Sequence, residues 1–263
     1  MFDLAELQDA LAGSIFSGKL RFSSVTDSTN SDAQVAARSG APHGTVFLAD
    51  EQRAGRGRGD HAWHSAAGEG LYVSVLLRPR IPARRLSLMP LVAGLAAAEA
   101  IRKTAGLAID LRWPNDLLIG PRKAGGILVE GRVEGDDLSY AVVGIGINVH
   151  QRAFVTNLST SATSLDLATG RFVSRQAVLV SLLKSLEREA LGLLETAAEK
   201  AILARVEETS TWIRGRQVEV HGPQACTGVT DGLDEYGFLR VQTASGLVIV
   251  QTGGIRTMDV PKC

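Results

Sequence analysis

The chain changes texture at Trp212. Beyond it, Gln217–Val220, Cys226–Thr230, Phe238–Val241 and Leu247–Val250 are short β-prone runs separated by Gly-Pro, Asp-Gly, Tyr-Gly and Ser-Gly. Punctuation that dense folds strands back on one another and predicts a small antiparallel barrel of about 50 residues. Before Trp212 the elements are longer and of two kinds. Helical patterns mark Leu4–Phe16, a stretch through Ala33 to Arg38 that Ser28 or Thr29 can cap, the Ala-rich Leu86–Thr104, Ser174–Leu194 and Ala197–Glu208. Strand-like runs lie at Thr45–Asp50, Leu71–Leu77, Ala108–Arg112, Asp116–Ile119, Gly126–Glu130 and Tyr140–Asn148. This mixture predicts an α+β unit over residues 1–212 and the barrel over 213–263.

Charge narrows the function classes. Lys plus Arg equals Asp plus Glu, 28 each, so no global field points to nucleic acid or membrane, and any cationic site must be local. Cys226 and Cys263 are too few and too far apart for a disulfide framework or a zinc site. The N-terminus carries Asp3, Glu6 and Asp9 where a signal peptide would carry bases. The longest apolar stretch, Leu88–Ile101, is interrupted by Pro90 and Glu99 and is too short to span a bilayer. A cytoplasmic protein without a membrane partner is expected. The basic run Arg78, Arg80, Arg84 and Arg85 is expected to be a solvated loop.

The most telling chemistry follows the apolar run Val46–Ala49. Ala54-Gly55-Arg56-Gly57-Arg58-Gly59-Asp60 combines three glycines, which let backbone approach a ligand closely, with two guanidinium forks suited to phosphate or carboxylate. No helical pattern opens at its end and no strand–helix–strand order surrounds it, which argues against a dinucleotide-binding fold. No Gly-Lys-Ser/Thr follows, which excludes the nucleotide-kinase phosphate loop. Gln52 stands ahead of the loop and can face the same pocket. Trp63 is expected to anchor the loop's far end.

Four further clusters bear polar groups where structure alone does not require them. Asp27-Ser28-Thr29-Asn30 offers more hydrogen-bonding side chains than a helix cap needs. In Arg112-Trp113-Pro114-Asn115-Asp116-Leu117, an ionisable Asp116 among apolar neighbours must be paired or bound to a metal. Lys123 precedes Gly125 and Gly126 and could hold an anion there. Val143-Gly144-Ile145-Gly146-Ile147-Asn148 places Gly144, Gly146 and Asn148 on one strand face, a stripped floor for a flat ligand or for a close-packed element.

In this order the motifs resemble biotin protein ligases, also called biotin–[acetyl-CoA-carboxylase] ligases, over roughly Ser23 to Val149. The terminal barrel is similar to that family's SH3-like domain. The resemblance implies a mixed-sheet catalytic domain of the biotin/lipoate ligase type. It also implies formation of biotinyl-5′-AMP from biotin and ATP, with Mg²⁺ accompanying the nucleotide, and transfer to one lysine of a biotin carboxyl carrier domain. By the same resemblance Ser28, Thr29, Asn30, Gln52, Arg56, Gly57, Arg58, Lys123, Gly125, Gly126, Gly144 and Gly146 would contact biotin. Arg58, Trp63, Asn115, Asp116 and Asn148 would meet the nucleotide, with Asp116 near the metal. Arg58, Lys123 and Asp116 would serve the chemistry. The arginine loop would order on ligand binding. Arg112 stands where lysine is usual. Only 27 residues precede Ser28, so the DNA-binding domain of ligase–repressors, and DNA itself, are not expected. The Tyr140–Val149 strand is a candidate edge for a homodimer. A biotin-sensing regulator without transfer activity and a lipoate or octanoate transferase are the alternatives.

Overall fold

In the computed structural model, which describes residues 2–59, 61–154, 160–195 and 198–258, seven strands form one mixed sheet. They are β1 (Leu20–Thr26), β2 (Thr45–Gln52), β3 (Gly70–Leu77), β4 (Asp110–Arg112), β5 (Asp116–Ile119), β6 (Arg122–Glu134) and β7 (Asp137–Asn148). Their order is β1-β2-β3-β7-β6-β5-β4. Only β1 and β2 run parallel, because helix α2 (Thr29–Arg38) returns the chain between them as a crossover. That strand–helix–strand unit was not expected. Ser23 and Ser24 break the apolar alternation of β1, an edge strand whose outer side needs none. The argument against a dinucleotide-binding fold survives on its other ground, since the glycine loop opens no helix.

Two layers cover the sheet. Helix α2 packs on the face of β2, β3 and β7, and α3 (Met89–Ala105) packs beneath β6 on the opposite face, against α5 (Arg175–Gly192). Helix α3 forms readily because its sequence is Ala-rich with Pro90 in the first turn, and Gly106, in the left-handed region at φ 73°, ends it. Helix α1 covers only Leu4–Ala10. The apolar spacing runs further, but irregular turns follow and Gly13 adopts φ 76°. Short α4 (Leu165–Thr169) and α6 (Ala198–Thr209) complete the α-helices among the described residues. Among the described residues no helix is long and apolar enough to cross a membrane.

The second sheet contains β8 (Arg214–His221), β9 (Cys226–Leu233), β10 (Leu239–Thr243), β11 (Gly246–Val250) and β12 (Gly254–Thr257), in the order β11-β10-β9-β8-β12. All its pairings are antiparallel, consistent with the SH3-like barrel expected. Strand β12 was missed because Gly253 and Gly254 mask it. The barrel shares a core with the larger unit: Trp212, Ile213, Val218 and Leu239 join the buried cluster that holds Leu88, Leu91 and Trp113. The Trp113 indole Nε1 donates to the Gly237 carbonyl at 3.0 Å inside this seam. Trp113→Phe should therefore cost about 1–2 kcal/mol, because the carbonyl is left buried without a donor. An unchanged denaturation midpoint would show that the bond contributes nothing.

Two expectations are corrected here. The Tyr140–Val149 strand cannot be a dimer edge, because β7 is hydrogen-bonded to β3 on one side and β6 on the other. The basic run is not merely solvated. Arg78 donates to the carbonyls of Ala37 and Ala41 at the end of α2, and Arg85 pairs with Glu199 and the Leu193 carbonyl. Helix C-termini present unsatisfied carbonyls, and guanidinium groups suit them.

Candidate active site

The glycine–arginine segment leaves β2 and returns as a hairpin. Gln52 bridges to Ser65 and Arg56 to Ala62; Gly57 N–H donates to His61 at 2.6 Å and Trp63 N–H to Gly55 at 2.8 Å. Glycine is required at position 55, where a Cβ would lie 2.4 Å from the Trp63 carbonyl oxygen. The two arginines then diverge. Arg56 forms a bidentate pair with Glu130 on β6, at 3.1 and 2.6 Å. Arg58 reaches across to the barrel, donating to the Gly253 carbonyl at 2.7 Å and more weakly to Asn115 at 3.4 Å. Burial pulls the Arg58 pKa below the ordinary guanidinium value, and the nearby Asp116 carboxylate partly offsets this.

The polar residues at the start of α2 meet the hairpin through one continuous chain of hydrogen bonds. Ser65 Oγ donates to the Trp63 carbonyl and accepts from Gln52 Nε2. Gln52 Oε1 accepts from the Thr29 N–H at 2.9 Å. The Thr29 hydroxyl meets Ser74 Oγ at 2.8 Å, and Ser74 donates to Asn30 Oδ1 at 2.6 Å. Asn30 Nδ2 then donates to Glu130. Ser28 occupies the N-cap position, yet its hydroxyl makes no capping bond. It caps α2 by position, as expected, but not through its side chain. Buried polar groups must be paired, and this set is paired largely within itself, which fixes each member's orientation.

The stripped strand is occupied. A Cβ on Gly144 would lie 2.0 Å from Asn30 Oδ1, and one on Gly146 would lie 2.6 Å from the Trp63 indole. Gly126, paired with Gly146 across β6 and β7, faces the same ring. Trp63 therefore anchors the hairpin by its backbone and lids the glycine floor with its ring, while its Nε1 is buried without a hydrogen-bond partner among the described residues. Lys123 Nζ lies 5.5 Å from the ring centroid, a cation–π contact. Gly125 does not share this face. Its absent side chain would meet Leu117 and the Gly146 carbonyl, so it serves strand packing, and the expected pair of floor glycines reduces to Gly126.

Beside the floor, one carboxylate carries two cations. Asp116 Oδ2 accepts from Arg112 at 2.6 Å and Oδ1 meets Lys123 Nζ at 2.5 Å. Burial opposes the Asp116 charge, but Lys123 and Arg112 outweigh it and hold the carboxyl below its ordinary value. Arg112 also lies over the Trp212 ring, 5.3 Å away, and donates to Thr160. A flat guanidinium can do all three at once, which a compact ammonium could not. Asn115 Nδ2 donates to the Ile127 carbonyl, and Asn148 Nδ2 to Thr163 at the end of β7. Among the described residues no group of three or more His, Cys, Asp or Glu side chains comes together, and both Asp116 oxygens are engaged. As folded, the chain's own donors do not fit a divalent cation here.

The sequence reading missed Ser74, Ser65, Glu130 and the Thr252–Gly253 turn. Ser74 left a signal, a lone serine in the fully buried run Leu71–Leu77. Glu130 left a weaker one, an acid ending Gly126-Ile-Leu-Val. The barrel turn left none, since only folding brings it to Arg58. Together these residues frame a glycine-floored slot, filled as folded by the Asn30 amide and the Trp63 ring, with a polar end and a cationic end; with the Trp63 ring displaced it would suit a flat, hydrogen-bonding molecule that carries an anion.

The chain is similar to several known proteins. The model of the Biotin/lipoate A/B protein ligase family matches residues 22–148. A Mycobacterium tuberculosis biotin–[acetyl-CoA-carboxylase] ligase is 31% identical over 88% of this chain and 85% of its own length. The bifunctional ligase/repressor BirA of Bacillus subtilis is 38% identical over 70% of the chain, which spans 57% of that relative. An Aquifex aeolicus biotin protein ligase, solved in complex with biotin and ATP, superposes with a TM-score of 0.76 at 31% identity, covering 91% of this chain and 98% of that one.

Proposed function

Because the chain belongs to the biotin protein ligases, we propose that it activates biotin with ATP and transfers the biotinyl group to a lysine of a carboxylase's carrier domain. The observation that carries this reading is the slot itself. Gly126, Gly144 and Gly146 line one face, the Thr29–Gln52–Ser74–Asn30 network closes one end, and Lys123 and Arg58 stand at the other. In the first step a biotin carboxylate oxygen attacks the ATP α-phosphorus, a P–O bond forms and pyrophosphate leaves. In the second, the carrier lysine's amine attacks the acyl carbon and AMP departs. Neither step needs covalent help from the protein, only alignment and neutralised charge.

The residues divide by position. Ser28, Thr29, Asn30 and Gln52 face the ureido ring, whose fixed donors and acceptors match a fixed network. Arg56 and Gly57 close the hairpin over the acyl chain, while Arg58 and Lys123 hold the carboxylate and α-phosphate oxygens. Trp63, Asn115, Asp116 and Asn148 border the nucleotide, and Asp116 acts there by holding Lys123 and Arg112 in place. Magnesium would enter with ATP, on phosphate oxygens. Residues 1–212 form the catalytic unit and 213–263 the barrel, and the enzyme works in the cytoplasm. Incubation with ATP, labelled biotin and a carrier domain tests this. Label on the carrier is expected. Adenylate without transfer would indicate a sensing regulator, and transfer of lipoate in place of biotin would indicate the other branch of the family.

Arg58→Gly should leave the fold intact and release the adenylate, because the guanidinium clamps an anion by charge and geometry. The expected result is label on bystander lysines of an added protein. Clean carrier specificity in the variant would remove Arg58 from this role.

A further inference from the structure

We propose that Glu130 is a positioning residue that ties the glycine–arginine hairpin to the amide of Asn30. Its functional consequence, though not its geometry, depends on the biotin-ligase reading. Glu130 lies two residues beyond Leu128 and four beyond Gly126 on β6, so it projects on the face of the slot. Its Oε2 accepts from two donors at once, Arg56 Nη2 at 2.6 Å and Asn30 Nδ2 at 2.9 Å, and its Oε1 takes the second guanidinium bond. An ionised carboxylate only accepts hydrogen bonds. Together with the Leu128 carbonyl, which accepts from the same Nδ2 at the longer distance of 3.3 Å, it sets which end of the Asn30 amide turns towards it. With Nδ2 committed to Glu130, Oδ1 is presented to Ser74, against the bare Cα of Gly144.

The same carboxylate is the hairpin's attachment to the sheet at Arg56. Arg56 and Glu130 keep 42% and 28% of their side-chain surface exposed. Pairs this wet contribute little to global stability, so the effect of the tie is local. One group thus coordinates two events that biotin capture needs, a fixed amide at the ureido end and a closed loop above.

Kinetics and limited proteolysis of Glu130→Ala and Glu130→Gln in the full chain separate these two branches. Glu130→Ala should raise the KM for biotin about tenfold, the loss of a hydrogen bond to a charged group, with kcat nearly unchanged. Trypsin should cut at Arg56 or Arg58 faster than in the wild type. Glu130→Gln returns a neutral acceptor to Asn30 but no charge to Arg56. It should recover most of the KM and little of the tryptic protection. Wild-type KM or wild-type tryptic rate in Glu130→Ala overturns the tie, as does equal rescue of both by Glu130→Gln. If the wild-type chain fails to biotinylate the carrier, the functional reading falls, and the tryptic comparison still decides the tie.

Discussion

Gly144→Ala should weaken biotin binding by about 100-fold, the cost of two to three kcal/mol of displaced hydrogen bonds. The new methyl would sit 2.0 Å from Asn30 Oδ1 and 2.8 Å from its Cγ. Asn30 cannot simply rotate away, because Ser74 and Glu130 hold opposite ends of its amide. It must leave both partners or push α2 off the sheet, and overpacking of a buried contact adds roughly 1–3 kcal/mol of destabilisation. Gly146→Ala provides the contrast. Its methyl meets the Trp63 ring at 2.6 Å, but that ring is only half-buried, so a smaller loss is expected. Titration calorimetry of both variants with biotin checks this. Near-native affinity in Gly144→Ala would show that Asn30 has no part in holding biotin.

The largest loss of stability is expected at Asp116. Asp116→Ala leaves Arg112 and Lys123 facing each other with side chains only 10% and 27% exposed. Removing one partner of a mostly buried ion network costs roughly 3 kcal/mol or more, because the remaining charges stay desolvated and unpaired. The pH dependence has a defined sign. Lys123 and Arg112 hold the folded carboxyl below its unfolded value of about 3.9. The pairing therefore stabilises fully above about pH 4 and fades as pH falls through the lower folded value. Denaturation of wild type and Asp116→Asn from pH 7 to pH 3 should show a gap that is constant near neutrality and narrows in acid. A gap independent of pH would mean that the Asp116 charge does not stabilise the fold. Adenylate formation should slow more than transfer from preformed adenylate, since both cations that Asp116 places lie at the cationic end of the slot.

Much of the site was legible before folding because its residues belong to rare local patterns. Three glycines interleaved with two arginines, two glycines alternating along an apolar strand, and an Asn-Asp pair between two apolar strand runs are each hard to explain by packing alone. Strand and helix positions in the larger unit followed from periodicity, and the ionic partnering of Asp116 followed from the cost of burying a lone carboxylate. Errors fell where periodicity carries no information. Edge strand β1 needs no apolar alternation, β12 is hidden by glycines, and α1 stops at turns that its apolar spacing does not reveal.

What the sequence determined by itself is therefore the inventory: an α+β unit, a terminal barrel, and the glycines, arginines, lysine and amides of one slot. The pairing of that inventory was decided by tertiary structure. Arg56 is joined to Glu130 and Arg58 to Gly253, separations of 74 and 195 residues. Only strand order could make them neighbours. The same holds for Trp63 on Gly146, Ser74 between Thr29 and Asn30, and the barrel's seam at Trp113. Local sequence sets which groups a segment can offer, because propensity and side-chain chemistry act within a few residues. Which of those groups satisfy each other is settled only when distant strands share a sheet and burial forces every polar group to find a partner.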